Sequence, residues 1–175
     1  TVDFSINFKR GTAARRALSA PEELFGEGTS RPKIITASIN LIKPFKWGSQ
    51  AWQWQSSLNA QWNKTPLIAQ DRFSIGGRYT VRGFDGELSL SGERGWNWRW
   101  QFNPNHAAYW AVDGGRVSGW STENQLGRHL MGTAIGLRGG IKGFSYDVFV
   151  GKPIRKPEGF RTSNAVAGFN IGYSF

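Results

Sequence analysis

The chain has 175 residues, a length that suits one domain, and carries 22 Lys and Arg against 12 Asp and Glu for a formal charge of +10. It holds no Cys, which excludes a disulfide framework and thiolate chemistry. It has no run of about 18 apolar residues either, which excludes a transmembrane helix.

Mean hydropathy is −0.44, a value that a strand barrel shares with soluble proteins because only every second residue of a strand meets lipid. Nine Trp, twelve Phe, four Tyr and 23 Gly suit an aromatic-girdled barrel better than an ordinary mixed domain. The positive charge is scattered, with Arg15-Arg16 and Arg155-Lys156 as clustered pairs. A basic lumen or loop collar is therefore expected rather than a nucleic-acid surface.

Val2, Phe4, Ile6 and Phe8 alternate with Asp3, Ser5, Asn7 and Lys9 in a first strand. Because Thr1-Val2-Asp3-Phe4 already reads as strand, no signal peptide is expected, and an envelope protein with this sequence would have lost its N-terminal part. Residues 12–31 are irregular, with Ser19-Ala20-Pro21-Glu22 as a candidate cap for a short helix to Phe25. A second strand sets Ile35, Ala37, Ile39 and Leu41 against Thr36, Ser38 and Asn40, and Pro44 to Gln50 is expected to turn.

The third strand is the clearest. Trp52, Trp54, Leu58, Ala60 and Trp62 share one face, and Gln53, Gln55, Ser57, Asn59, Gln61 and Asn63 the other. Residues 51–64 at about 3.3 Å each, tilted ~40°, rise roughly 35 Å, more than a ~25 Å apolar band needs. Residues 65–94 form a long Gly-rich segment. Trp96, Trp98, Trp100 and Phe102 then alternate with Asn97, Arg99, Gln101 and Asn103, and a turn is expected at Asn103-Pro104-Asn105.

A fifth strand over 107–117 opposes Ala108, Trp110 and Val112 to Tyr109, Ala111 and Asp113. Strands near 129–142 and 144–153 follow, joined at Lys142-Gly143. The last strand places Ala165, Ala167, Phe169, Ile171, Tyr173 and Phe175 on one face. Short connections thus alternate with long ones, as periplasmic turns and extracellular loops do in outer-membrane barrels. A soluble lipocalin-like barrel is the competing fold. The polar faces, rich in Asn, Gln, Ser, Gly and Arg rather than mixed Lys and Glu, favour the membrane. The expectation is an all-β, antiparallel transmembrane β-barrel with eight strands in this chain and the outward aromatics of the last strand as an assembly signal.

Phe73-Ser74-Ile75-Gly76-Gly77-Arg78-Tyr79-Thr80-Val81-Arg82-Gly83-Phe84-Asp85-Gly86 resembles the Val-Arg-Gly-Phe/Tyr loop signature of the superfamily of outer-membrane barrel-assembly proteins and TpsB transporters of two-partner secretion. Ala111-Val112-Asp113-Gly114-Gly115-Arg116-Val117 resembles its second signature, an Asp-x-Gly on an inner strand. Those motifs look more like a TpsB secretor than a barrel-assembly protein. The resemblance implies the C-terminal eight strands of a sixteen-stranded barrel (residues 1–175), whose plug helix and periplasmic POTRA domains lie elsewhere.

It also implies a function: passage of an unfolded TpsA-type exoprotein across the bacterial outer membrane. The partners implied are that exoprotein, the lipid bilayer with its lipopolysaccharide, and the barrel-assembly machinery through the last strand. The family pairing carries to Arg82 and Asp113, with Val81, Gly83, Phe84 and Gly115 completing the motifs. In a wet lumen such a pair is worth about 1 kcal/mol. Folding the tip back is also expected to cover Tyr79 and Phe84. Were the eight strands to close on themselves, the loop would be extruded, because an eight-stranded interior holds only side chains.

Gln53, Gln55, Asn59, Gln61, Asn97, Arg99 and Gln101 are expected to line the lumen and exchange hydrogen bonds with a passing backbone. Barrel assembly and small-solute diffusion are the alternative functions. An enzyme is not expected, nor a cofactor or metal: His106 and His129 are the available imidazoles, and no nucleophile or metal-ligand spacing accompanies them.

Overall fold

The computed structural model describes residues 1–12, 18–104 and 107–174; Arg15, Arg16, His106 and Phe175 lie outside the described residues. Among the described residues ten strands form: β1 (Val2–Arg10), β2 (Lys33–Trp47), β3 (Gln50–Asn63), β4 (Phe73–Ile75), β5 (Leu90–Gly92), β6 (Arg94–Pro104), β7 (Ala108–Ser118), β8 (His129–Ile141), β9 (Phe144–Arg155) and β10 (Val166–Tyr173). Eight of them make one sheet in the order β1-β2-β3-β6-β7-β8-β9-β10, every neighbour antiparallel. No pairing joins β1 to β10 among the described residues. The small β4–β5 hairpin belongs to the 65–94 segment.

Several boundaries differ from the sequence expectation. Pro44 does not begin the turn: β2 continues to Trp47 because Lys43, Phe45 and Trp47 keep the alternation, and Phe45 stacks on Trp52 at 6.3 Å. The chain reverses over two residues, with Gly48 at φ 63, a left-handed conformation that favours glycine. β6 likewise runs through Asn103 to Pro104, and the last strand is shorter than 164–175.

Pro21–Phe25 is a single 3-10 turn with no side-chain cap at its start. Glu23 instead accepts from the Ser30 N–H (2.9 Å), the Thr29 hydroxyl (2.8 Å) and the Ser30 hydroxyl (3.0 Å). These bonds, the backbone one foremost, hold its carboxyl down at about 2.

The two faces of the sheet differ in chemistry. Outward lie the aromatic rows: Trp54 stacks on Phe102, and Phe102 on Trp110, near the short turns. Trp62 and Trp96 mark the loop end, where they are exposed. Trp52 and Trp62 stand ten positions apart on β3, about 25 Å along the membrane normal for a strand tilted ~40°, the height of an outer-membrane apolar band.

Inward, the 65–94 segment folds back along the sheet. The core sits between the two: Ile75, Val81, Phe84 and Leu90 of the segment pack with Val117, Leu130 and Phe160. The sheet curls round the segment, which touches β1 through a Lys9–Asp71 ion pair (2.5 Å).

Candidate functional site

The segment enters from the loop end and is fastened at its base. Glu93 is buried and accepts from the Ser121 N–H (3.3 Å) and hydroxyl (3.1 Å), with Arg72 at 3.6 Å. Gln125 bridges to Ser91 and to the Ser121 carbonyl. Asp85 accepts from the Ser163 N–H at 2.7 Å, and that backbone bond holds its carboxyl below the usual value.

The tip reaches mid-strand. Arg82 donates from Nε to Asp113 Oδ2 (2.7 Å) and from Nη2 to Oδ1 (2.8 Å), while its own backbone N–H adds a third bond to Oδ2 (3.0 Å). Nη1 donates to Gln101 Oε1 at 2.6 Å. Arg99, the register partner of Asp113 on the neighbouring strand, adds Nε at 3.4 Å. The two-pronged fit follows from the guanidinium's planar fork.

Asp113 is 0% exposed and Arg82 5%, so the site is dry. This corrects the wet-lumen expectation of about 1 kcal/mol: removing one partner strands a buried charge, which costs about 3–5 kcal/mol. The loop is docked on the inner face of the sheet rather than extruded. Phe84 is covered, edge-on to Phe160 at 5.8 Å. Tyr79, expected to be covered too, is 74% exposed.

Close approach of the segment depends on glycines, of which Gly83 and Gly115 belong to the motifs while Gly95, Gly132 and Gly151 were not singled out from sequence. A Cβ at Gly132 would overlap the Arg82 carbonyl, and one at Gly83, whose φ is 102, would overlap the Lys152 carbonyl. Gly151 faces Gly83, Gly115 faces Ile75, and Gly95 faces Phe73. The available signal was parity: Gly95, Gly115 and Gly132 stand at inward positions of strands whose outward positions are bulky. Gly132 was the harder one, because a register shift between Met131 and Gly132 interrupts β8 against β9.

The seven amide and guanidinium side chains expected along the lumen divide. Gln61 donates to the Asp71 carbonyl (2.8 Å), Asn97 to the Thr80 carbonyl (3.3 Å), and Arg99 and Gln101 hold the tip. These four engage the segment. Gln53, Gln55 and Asn59 stay half-buried on β3, where Gln55 donates to Gln53 (3.0 Å). Phe169, Ile171 and Tyr173 all point outward from β10 and are exposed. His129 opens β8 opposite Arg116.

A family model described as haemolysin secretion/activation protein ShlB/FhaC/HecB matches residues 1–139. The outer membrane transporter CdiB-2 of Burkholderia pseudomallei (strain 1026b) is 34% identical over 99% of this chain and 31% of its own length. The outer membrane transporter CdiB of Dickeya dadantii (strain 3937) is 31% identical over 68% of this chain and 23% of its own. The structure of CdiB from Acinetobacter baumannii superposes with a TM-score of 0.84 at 31% identity, covering 99% of this chain and 30% of that one. CdiB from Escherichia coli gives the same score at 21% identity, covering 99% of this chain and 33% of that one, a likeness of fold. The chain therefore spans about a third of the length of the relatives it matches from end to end.

Proposed function

The chain belongs to the ShlB/FhaC/HecB family of haemolysin secretion/activation proteins, and from that premise we propose that it forms half the wall of an outer-membrane pore through which one unfolded partner exoprotein is exported, with the 65–94 segment as the pore's docked inner element. The chain is a TpsB-type transporter barrel of the bacterial outer membrane, and its family is one of protein transporters rather than enzymes. The rest of the reading concerns the whole protein. Eight further strands complete the barrel, POTRA domains stand on its periplasmic side, and the barrel-assembly machinery inserts it through β10.

The observation that carries the reading is the Arg82–Asp113–Gln101 contact, a dry clamp in a wall otherwise lined with amides. Loop and wall are separate parts joined at a few points. The clamp is strong enough to keep the loop in place, yet one element moving as a unit would free the lumen. Gln53, Gln55, Ser57 and Asn59 then offer an extended backbone exchangeable hydrogen bonds without apolar grip. Export of an unfolded chain needs no hydrolysis at this site, since folding outside withdraws the product from the equilibrium.

The test uses the full-length transporter with its cognate exoprotein. Arg82→Ala, or deletion of residues 65–94, is expected to abolish or cripple the appearance of exoprotein outside the cell. Heat-modifiable migration of the barrel from membranes should persist. Undiminished export by both variants overturns the proposal.

A further inference from the structure

Tyr79 is the exposed member of an otherwise covered tip. Ile75, Val81 and Phe84 on either side of it in sequence are buried. Its position is nevertheless fixed. The Arg78 guanidinium lies 4.8 Å from the ring centroid and donates to the phenol oxygen at 2.6 Å. Arg99 donates to the carbonyl oxygens of Tyr79 (3.3 Å) and Arg78 (3.5 Å). The Thr80 hydroxyl ties the turn, accepting from the Gly76 and Gly77 N–H groups and donating to the Gly77 carbonyl. A large ring is thus presented to the lumen on a braced turn rather than left on a loose one.

The pair lines a cleft of about 210 Å³ whose walls include Tyr109, Asp147 and Asn170. A second cleft, of about 370 Å³, adjoins it across Arg82 and Arg99 and reaches Arg138 and Gln55. Arg78, Arg82, Arg99 and Arg138 therefore line this space, against the carboxylates of Asp113 and Asp147. Both carboxylates are already engaged: Asp113 by Arg82 and Arg99, Asp147 by the Tyr109 hydroxyl (2.8 Å) and Arg138 (3.5 Å). The space keeps a net positive character beside one exposed aromatic face. That combination suits an extended polypeptide carrying carboxylates and backbone carbonyls, with planar groups that stack on a ring.

We propose that Arg78 and Tyr79 form a contact point for the polypeptide in transit, Tyr79 stacking on its peptide planes or aromatic side chains and Arg78 taking its acidic side chains. The inference rests on the export reading and adds to it the residues that touch the cargo and the chemistry they select. The contact is single and solvent-flanked, so it guides the chain without arresting it.

The test places a photo-crosslinking benzophenone amino acid at Tyr79, at Gln55 on the open wall, or at Ile135 on the outer face of the full-length transporter during secretion. Adducts with the exoprotein are expected at Tyr79 and Gln55 and not at Ile135. Tyr79→Ala should slow export about three- to ten-fold, the size of one lost aromatic contact, and Tyr79→Phe should restore most of the rate. Heat-modifiability should be unchanged in both.

Adducts at Gln55 but none at Tyr79 overturn the contact while leaving export standing. So do Tyr79 adducts confined to the transporter's own chain, or a wild-type rate for Tyr79→Ala. Absence of exoprotein adducts at both inward positions overturns the export reading with it.

Discussion

Gln55 on β3 and Gln101 on β6 are register partners with the same side chain on the same face of one sheet, yet they live in different surroundings. Gln101 is 5% exposed and takes the Arg82 guanidinium. Gln55 is half-buried, lines an open cleft and donates to its neighbour Gln53. What separates them lies further along the row. Beyond Gln101 come Ala111, Ala134 and Gly151, small residues that leave height for the loop tip. Beyond Gln55 comes Ile42, a larger side chain that lines the same open cleft. Polarity marks the inner wall, and residue size decides which part of it is covered.

The sharpest way to break this contrast is to fill the height on the covered side. Gly132→Val puts a side chain where the Arg82 carbonyl lies, so the tip must lift and the buried ion pair must part. Loss of about 3–5 kcal/mol of docking corresponds to a shift of about 10²–10⁴-fold toward the undocked loop. Trypsin cleavage after Arg78 and Arg82 in detergent-purified protein should rise by that order, and export should fall as for Arg82→Ala. Ser57→Val, in the same row of the open wall, should leave cleavage unchanged. Equal protection of the wild type and Gly132→Val removes the size argument.

A smaller, matched pair sharpens it. Gln101→Ala takes the acceptor from a buried guanidinium donor and should weaken docking by about 1–3 kcal/mol. Gln55→Ala should stay within about 0.5 kcal/mol. Hydrogen exchange of the 77–86 amides reads both. Comparable protection loss in the two variants would mean that the halves of the wall do not differ as described.

The strands themselves were legible from alternation, because the pleat puts successive side chains on opposite faces whatever lies around them. Trp52 to Trp62 and Trp96 to Phe102 needed nothing more. The motif residues Arg82 and Asp113 were legible through resemblance, and parity alone put Asp113 inward. What alternation could not reveal is the third dimension. Gln61, Asn97 and Gln101 read as lumen lining, but the covering segment contacts them from 10 to 32 positions away, and its path is set by glycines whose missing side chains carry no hydrophobic signal. Pro44 misled for a related reason: a breaker residue was weighed above the continuing Phe45 and Trp47 pattern. The exposure of Tyr79 beside a buried Phe84 had no sequence signal, since the turn that separates them is held by Thr80 and Arg99.

The mildest perturbation acts on the rim that joins the covered segment to the loop after β9. Asp85 accepts from the Ser163 N–H there, and its carboxyl titrates below the ordinary value. A group whose folded pKa is depressed gives stability that is complete above the unfolded value, about 3.9 for Asp, and that is lost as pH falls through the folded value. Docking of residues 83–87 should therefore be flat between pH 7 and 5 and weaken only in acid below about pH 4. The effect should be about two- to five-fold in local opening, because this carboxylate is largely solvated. Asp85→Asn should flatten that acid limb while leaving the Arg82–Asp113 clamp in place. Exchange rates of the 83–87 amides, corrected for intrinsic pH dependence, decide the matter. An acid limb that survives in Asp85→Asn would assign it to a different carboxylate, and the rim would then contribute nothing to the difference between covered and open wall.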